Sequence, residues 1–207
     1  MNVDFYDLVY LLLLLTGILA LIENRIRRVV YLIAIQSFLL VFPCFQVHSI
    51  ADYHSWAVVF LILLFKVFLT PLTMLWTIKN QRMSENTSPR FGFLTTMFLF
   101  LIGFSFALLI VDNLRKLPEA VDKIEVIYVF LMIYVGVMGF ILRKHWLMLM
   151  AGFVMFENGI FLLTLILQEG LPIGIEIGAF MDSLLVIVSA IALQIRGVQL
   201  KHGVFEE

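Results

Sequence analysis

The stretch FVMFENGIFLL, residues 153–163, sets Glu157 and Asn158 in the middle of an otherwise apolar run. The apolar residues around it are numerous enough to cross the hydrocarbon core of a bilayer as a helix. The rest of the chain has the same character, since 62% of its 207 residues are hydrophobic, 14% are charged and the mean hydropathy is +1.05. A soluble domain carries about 25% charged residues. The sequence therefore predicts an all-α integral membrane protein.

The apolar runs and the breaks between them predict about seven transmembrane helices. Most breaks contain charges, proline or glycine, which commonly interrupt membrane spans. The first run is preceded by Asp4 and Asp7 rather than by basic residues, which favours a retained helix over a cleaved signal peptide. The predicted helices lie at 5–23, 29–47, 57–78, 92–111, 126–142, 147–168 and 177–196.

The basic residues predict how these helices are oriented. When the loop after the first helix is placed in the cytoplasm, ten of the 14 lysines and arginines fall on that side, three fall on the opposite side, and Lys66 lies within a helix. Cytoplasmic loops of membrane proteins carry an excess of positive charge. We therefore expect the N-terminus outside and the C-terminus in the cytoplasm.

The order of helices and loops indicates an internal repeat. Helices one to three and helices five to seven each form a helix, a short basic turn, a second helix, an outer loop and a third helix. The pairs Arg27-Arg28 and Arg143-Lys144 correspond in this alignment, which also matches Lys66 with Asp182. The predicted units are a three-helix unit at 1–91, a connecting helix and outer loop at 92–125, and a second three-helix unit with a short tail at 126–207.

Three ionisable residues fall inside predicted spans: Lys66, Glu157 and Asp182. Placing such a group in the membrane costs about 2.5–3.5 kcal/mol on insertion scales, so a functional role is the default hypothesis. Proton transfer is the chemistry that suits them, because a buried acid near an opposite charge can gain and lose a proton near neutral pH. The alternative is a lysine–carboxylate pair that only joins helices, and such pairs often add little net stability.

Other residues support this prediction less directly. Asn158 adjoins Glu157, and Pro71 frees a backbone carbonyl near Lys66, where a kink could admit water or serve structure alone. Glu176 begins the seventh predicted helix, where an acid suits the helix dipole, and a proton exit role is the alternative. Gly152 and Gly159 share a face of the sixth predicted helix and predict close helix packing.

Several classes of function are not favoured by the composition. Cys44 is the single cysteine, which excludes a cysteine cluster for zinc or iron–sulfur. The four histidines lie in loops and the tail rather than within spans, which argues against a bis-histidine haem. A formal net charge of -1 gives no sign of nucleic-acid binding. We expect a chain that binds no redox cofactor and is not catalytic alone.

The motifs resemble those of a family of respiratory membrane subunits. Residues 126–200, with LRKHWLML at 142–149, are similar to the K subunit of complex I. The whole chain resembles component E of hydrogenase-4, a K-like subunit of membrane-bound hydrogenase and formate hydrogenlyase complexes. The matching segments are FKVFLTPL at 65–72, FENGIFLL at 156–163 and GLPIGIEIGAFMDSLLV at 170–186. The complex I pattern places its second-helix glutamate at Val154, about one helical turn before Glu157.

The resemblance implies a role in ion translocation driven by partner subunits. It implies a bacterial or archaeal cytoplasmic membrane, antiporter-like and quinone- or hydrogenase-anchor-like partners in lipid, and a NiFe centre and iron–sulfur clusters held by other subunits. Glu157, Asp182 and Lys66 would lie on a proton or sodium path. Two alternatives stay open: a K-like subunit of a multi-subunit sodium/proton antiporter, and a structural membrane spacer.

Overall fold

The computed structural model describes residues 5–47, 53–80, 86–87, 90–113 and 123–167. Within these ranges the backbone is almost entirely helical; an isolated β-bridge joins Arg25 and Asn86, and Arg143 also occupies a bridge position. The elements are α1 (Phe5–Ile22), α2 (Ile26–Leu39), α3 (Val41–Val47), α4 (Tyr53–Leu61), a π-helix (Ile62–Leu69), α5 (Thr70–Asn80), α6 (Phe93–Asn113), α7 (Lys123–Leu142) and α8 (Trp146–Leu167).

Six helical segments in the described ranges are long and apolar enough to cross a membrane. They coincide with the first six predicted helices, so the prediction of a helical membrane-type architecture is confirmed. The second segment begins at Ile26, earlier than predicted, and the third extends to Asn80. The seventh predicted helix, 177–196, lies outside the described residues, so the count of seven stays a prediction.

Two of these segments depart from regular α-helix near a proline. The second divides at Leu40 into α2 and α3, three residues before Pro43, because proline cannot donate to the carbonyl one turn earlier. The third contains the π-helix, whose wider turns end just before Pro71 with the Thr70 N–H donating to the Phe65 carbonyl. The π-helix carries Lys66, and such insertions are frequent at functional sites.

Glycines hold α7 and α8 at close range. A Cβ atom added at Gly136 would lie 2.3 Å from the backbone nitrogen of Phe156, and one at Gly139 would lie 2.7 Å from the Cα of Gly152. A Cβ at Gly159 would lie 2.8 Å from the backbone nitrogen of Ile133. The predicted packing role of Gly152 and Gly159 is confirmed, since small residues allow helix backbones to approach.

The pair α7–α8 packs against the pair α1–α2, with α1 beside α7 and α2 beside α8. The π-helix and α5 lie against α2. Helix α6 is peripheral: it contacts α7 through Tyr134, whose hydroxyl donates to the Leu99 carbonyl at 2.6 Å. Leu94 on α6 is 84% exposed, as suits a face in contact with lipid or another chain. Among the described helices, α1, α2, α7 and α8 therefore form the centre of the packing.

Three connections meet at one end of this bundle. The backbone N–H of Thr87 donates to the Asn24 carbonyl at 3.0 Å, and that of Arg90 donates to the Leu142 carbonyl at 2.7 Å. The Arg143 guanidinium donates to the Asn24 side chain at 2.9 Å. These contacts join the basic turns after α1 and α7 to residues between α5 and α6, as the charge distribution predicted. Which side of a membrane this end faces stays a prediction.

Candidate functional site

A buried ion pair lies midway along the spans. The Lys66 ammonium nitrogen is 2.6 Å from the Glu157 Oε1 atom, and the two residues are 2% and 5% exposed. Lys66 comes from the π-helix and Glu157 from α8, so the pair joins the two predicted three-helix units. A single buried charge would be costly in hydrocarbon, whereas the pair is neutral as a whole.

Asn158 is the second oxygen partner of Lys66. Its Oδ1 atom accepts a hydrogen bond from the ammonium at 3.1 Å, and the residue is fully buried. Neighbouring residues on an α-helix point about 100° apart. Glu157 and Asn158 can therefore approach Lys66 from two directions, and the cation also lies 5.4 Å from the ring centre of Phe161. This cation–π contact adds to the stabilisation of the charged lysine.

The polar contacts continue from Asn158 into α2 and α1. The Asn158 Nδ2 atom donates to the Gln36 Oε1 atom at 3.2 Å and approaches the Ser37 hydroxyl at 3.4 Å. The Gln36 Nε2 atom donates in turn to the Leu13 carbonyl at 3.2 Å. We call Lys66, Glu157, Asn158, Gln36 and Ser37 the central polar cluster. All five side chains are buried among helices that are otherwise apolar.

Backbone features explain why the cluster fits at this level. Gly17 on α1 leaves room for Gln36, because a Cβ atom there would lie 2.9 Å from the Gln36 Nε2 atom. The Leu13 carbonyl accepts a second hydrogen bond from the Thr16 hydroxyl at 2.9 Å. Lys66 is carried by the π-helix. The cluster is thus held by α1, α2, the π-helix and α8 together.

The structure brings together three of the residues that the sequence singled out. Lys66, Glu157 and Asn158 are in contact, and the pairing of Lys66 with Glu157 is one that the sequence left undecided. Pro71 is buried on α5, just beyond the π-helix rather than in contact with the pair. Asp182 and Glu176 lie outside the described residues, so their predicted roles are not tested.

Gln36 and Ser37 are members of the cluster that sequence reasoning missed. They are the adjacent polar residues in the apolar run YLIAIQSFLLVF at 31–42. Because buried polar side chains need hydrogen-bond partners, a polar pair in the middle of a span was a usable signal. It was overlooked because neither side chain is ionisable.

A second buried charge lies at the basic end of the bundle, and its surroundings are different. Arg143 is 3% exposed and donates to the backbone carbonyls of Leu21 and Glu23, the latter at 2.7 Å, as well as to Asn24. The carbonyls at a helix C-terminus have no partner within the helix. Arg143 therefore caps α1. Burial lowers the pKa of Arg143, yet an arginine stays protonated in proteins.

Nearby ionisable groups also have shifted pKa values. The backbone N–H of Arg25, with a smaller contribution from the Arg28 guanidinium 3.2 Å away, lowers the pKa of Glu23. Burial lowers the pKa of His145. In the described part of the chain there is no group of three histidine, cysteine or acidic residues arranged to hold a metal ion.

Comparisons with protein-family models, with curated proteins and with solved structures find no match to this chain. The resemblance to hydrogenase-4 component E and to the K subunit of complex I therefore stays a prediction. The chemistry of the central polar cluster has to be argued from its own geometry.

Proposed function

We propose that this chain is a non-catalytic membrane subunit that contributes a proton- or sodium-translocation path to an oxidoreductase complex of the hydrogenase-4 or complex I type. In that complex, partner subunits would hold the NiFe centre and iron–sulfur clusters and carry out the electron chemistry. The proposal includes a seventh helix at 177–196, a bacterial or archaeal cytoplasmic membrane, and a cytoplasmic C-terminus.

The observation that carries the proposal is the Lys66–Glu157 pair. Two groups that can each gain or lose a proton lie 2.6 Å apart, buried midway along membrane-type helices. A fixed structural link would not need titratable groups, because hydrophobic residues of similar volume often stabilise as well as a buried pair does. Ionisable residues in this position usually mark ion pathways. Asp182 extends the proposed path on sequence grounds alone.

The direct test is proton uptake by membrane vesicles that contain the assembled complex. We expect Glu157→Gln to lower uptake per redox turnover, normalised to the complex that assembles on a native gel, by about 100-fold, the lower end of what a proton-transfer group contributes. Glu23→Gln is the matched control, because Glu23 lies outside the spans and should leave uptake unchanged. Assembly with normal uptake in Glu157→Gln would refute the proposal.

A structural spacer is the second candidate, and the same ion pair supports it. Lys66 and Glu157 connect the π-helix to α8, so the pair alone could fix the two units together. On this account Glu157→Gln lowers the amount of assembled complex as much as it lowers uptake. Uptake divided by assembled complex therefore separates the two candidates.

A further inference from the structure

The hydrogen bonds of the central polar cluster run in one donor-to-acceptor order, from Lys66 to the Leu13 carbonyl. Lys66 donates to the Asn158 oxygen, Asn158 donates to the Gln36 oxygen, and Gln36 donates to the Leu13 carbonyl. The backbone carbonyl of Leu13 can only accept a hydrogen bond, so the Gln36 side chain must present its N–H₂ group to it. With Gln36 turned to donate to Leu13, its oxygen faces Asn158, and the Asn158 oxygen must then face Lys66.

The reverse orientation is disfavoured at every link. Turning the Asn158 amide around would set its N–H₂ group against the Lys66 ammonium and its oxygen against the Gln36 oxygen. Like groups would then face each other in a buried site, where unmatched polar contacts are most costly. The order of donors and acceptors is therefore set by the fold.

This order distinguishes the two oxygen partners of Lys66. An amide oxygen accepts a hydrogen bond but is far too weak a base to take the proton. The Glu157 carboxylate can take it. Among the oxygen atoms that contact Lys66 in the described part of the chain, Glu157 is thus the sole proton acceptor.

We propose that Asn158 and Gln36 are positioning residues that hold the Lys66 ammonium against Glu157 and direct proton exchange between those two groups. In the transfer, an N–H bond of Lys66 breaks and an O–H bond forms on Glu157. The ammonium–carboxylate pair becomes an amine and a carboxylic acid, so no electrons are exchanged and the pair stays neutral. This inference rests on the proposed function, because directed exchange matters only on a proton path.

Asn158→Asp is the informative variant. The aspartate keeps an oxygen next to the Lys66 ammonium, so a role of residue 158 in only anchoring the lysine would be preserved. It also adds a second carboxylate that competes with Glu157 for the proton, and it removes the amide donors to Gln36 and Ser37. Thr164→Ala is the matched control, because Thr164 lies on the same helix but outside the central polar cluster, and its hydroxyl donates to the Ile160 carbonyl at 2.9 Å.

The measurement is proton uptake per redox turnover in vesicles holding the complete complex, with assembly and thermal stability measured in parallel. We expect Asn158→Asp and Asn158→Leu both to lower this ratio, normalised to the complex that assembles, by about tenfold or more. Thr164→Ala should behave as wild type.

The outcomes separate this inference from the proposed function. If Glu157→Gln abolishes coupled uptake while Asn158→Asp retains it in full, the positioning role is wrong and the translocation path stands. If Glu157→Gln itself leaves coupled uptake unchanged, the proposed function fails, and the positioning role fails with it. Loss of coupling in Thr164→Ala equal to that in Asn158→Asp would also contradict the directed exchange.

Discussion

The central polar cluster and the Arg143 cap both bury a positive charge, and they neutralise it in opposite ways. Lys66 faces a carboxylate that can exchange a proton with it. Arg143 faces backbone carbonyls and an amide oxygen, none of which can take a proton, and its own proton is not released. The comparison teaches that burial of a charge does not by itself indicate ion translocation. The partner decides whether the charge is fixed or exchangeable.

The largest effect on stability is expected at Arg143. Arg143→Met leaves the carbonyls of Leu21 and Glu23 buried without their donor, and each lost partner costs about 1–3 kcal/mol. We expect a clear loss of thermal stability and of assembled protein, with uptake per assembled complex unchanged. Lys144→Met is the control, since the neighbouring Lys144 is exposed. If Arg143→Met assembled fully but lost coupled proton uptake, the contrast between the Arg143 cap and the central polar cluster would be wrong.

A smaller effect is expected at Gly17, which adjoins the central cluster without belonging to it. Gly17→Ala places a methyl group 2.9 Å from the Gln36 nitrogen, and such overpacking typically costs about 1–3 kcal/mol. Because Gln36 must shift, uptake per turnover should fall along with thermal stability. Gly103→Ala is the control: its methyl group would meet the Tyr134 ring far along the chain from the cluster. Gly103→Ala should lower thermal stability and leave uptake per turnover unchanged.

The smallest effect is expected at Glu23, near Arg143. The pKa of Glu23 is lowered in the folded protein, chiefly by the Arg25 backbone N–H, so its contribution is present above its ordinary pKa and is lost as the pH falls. Exposed pairs contribute no more than about 1 kcal/mol. Wild type should therefore melt slightly above Glu23→Gln at neutral pH, and the difference should shrink as the pH falls below the ordinary glutamate pKa of about 4.3 and through the lowered pKa of the folded protein. A difference that grows on acidification would contradict this.

The sequence predicted the helices well and the contacts between them only in part. Apolar run length is a local property, so six spans could be placed from the sequence to within a few residues. Glu157 and Lys66 could also be singled out, because an ionisable group in an apolar run is apparent from the sequence alone. Their pairing depends on how distant helices pack together, and the π-helix that carries Lys66 has no simple sequence signal.

The burial of Arg143, by contrast, could not be predicted from the sequence. In the sequence Arg143 was one of several charges marking the cytoplasmic side. Its burial depends on the end of α1, which is distant in the chain and close in the fold. Gln36 was missed for a related reason, because the donor order that gives it a role exists only when α1, α2 and α8 are packed together.

The central claim is that the buried pair exchanges a proton rather than merely joining helices. The most direct measurement is coupled proton uptake in the double variant Lys66→Met/Glu157→Met, normalised to assembled complex. Replacing both charges with apolar residues of similar volume leaves no unpaired buried charge and should preserve assembly, although the hydrogen bond from Lys66 to Asn158 is lost. We predict that the double variant assembles like wild type and loses coupled uptake. Assembly with full coupled uptake would show that the pair is structural and would contradict the account.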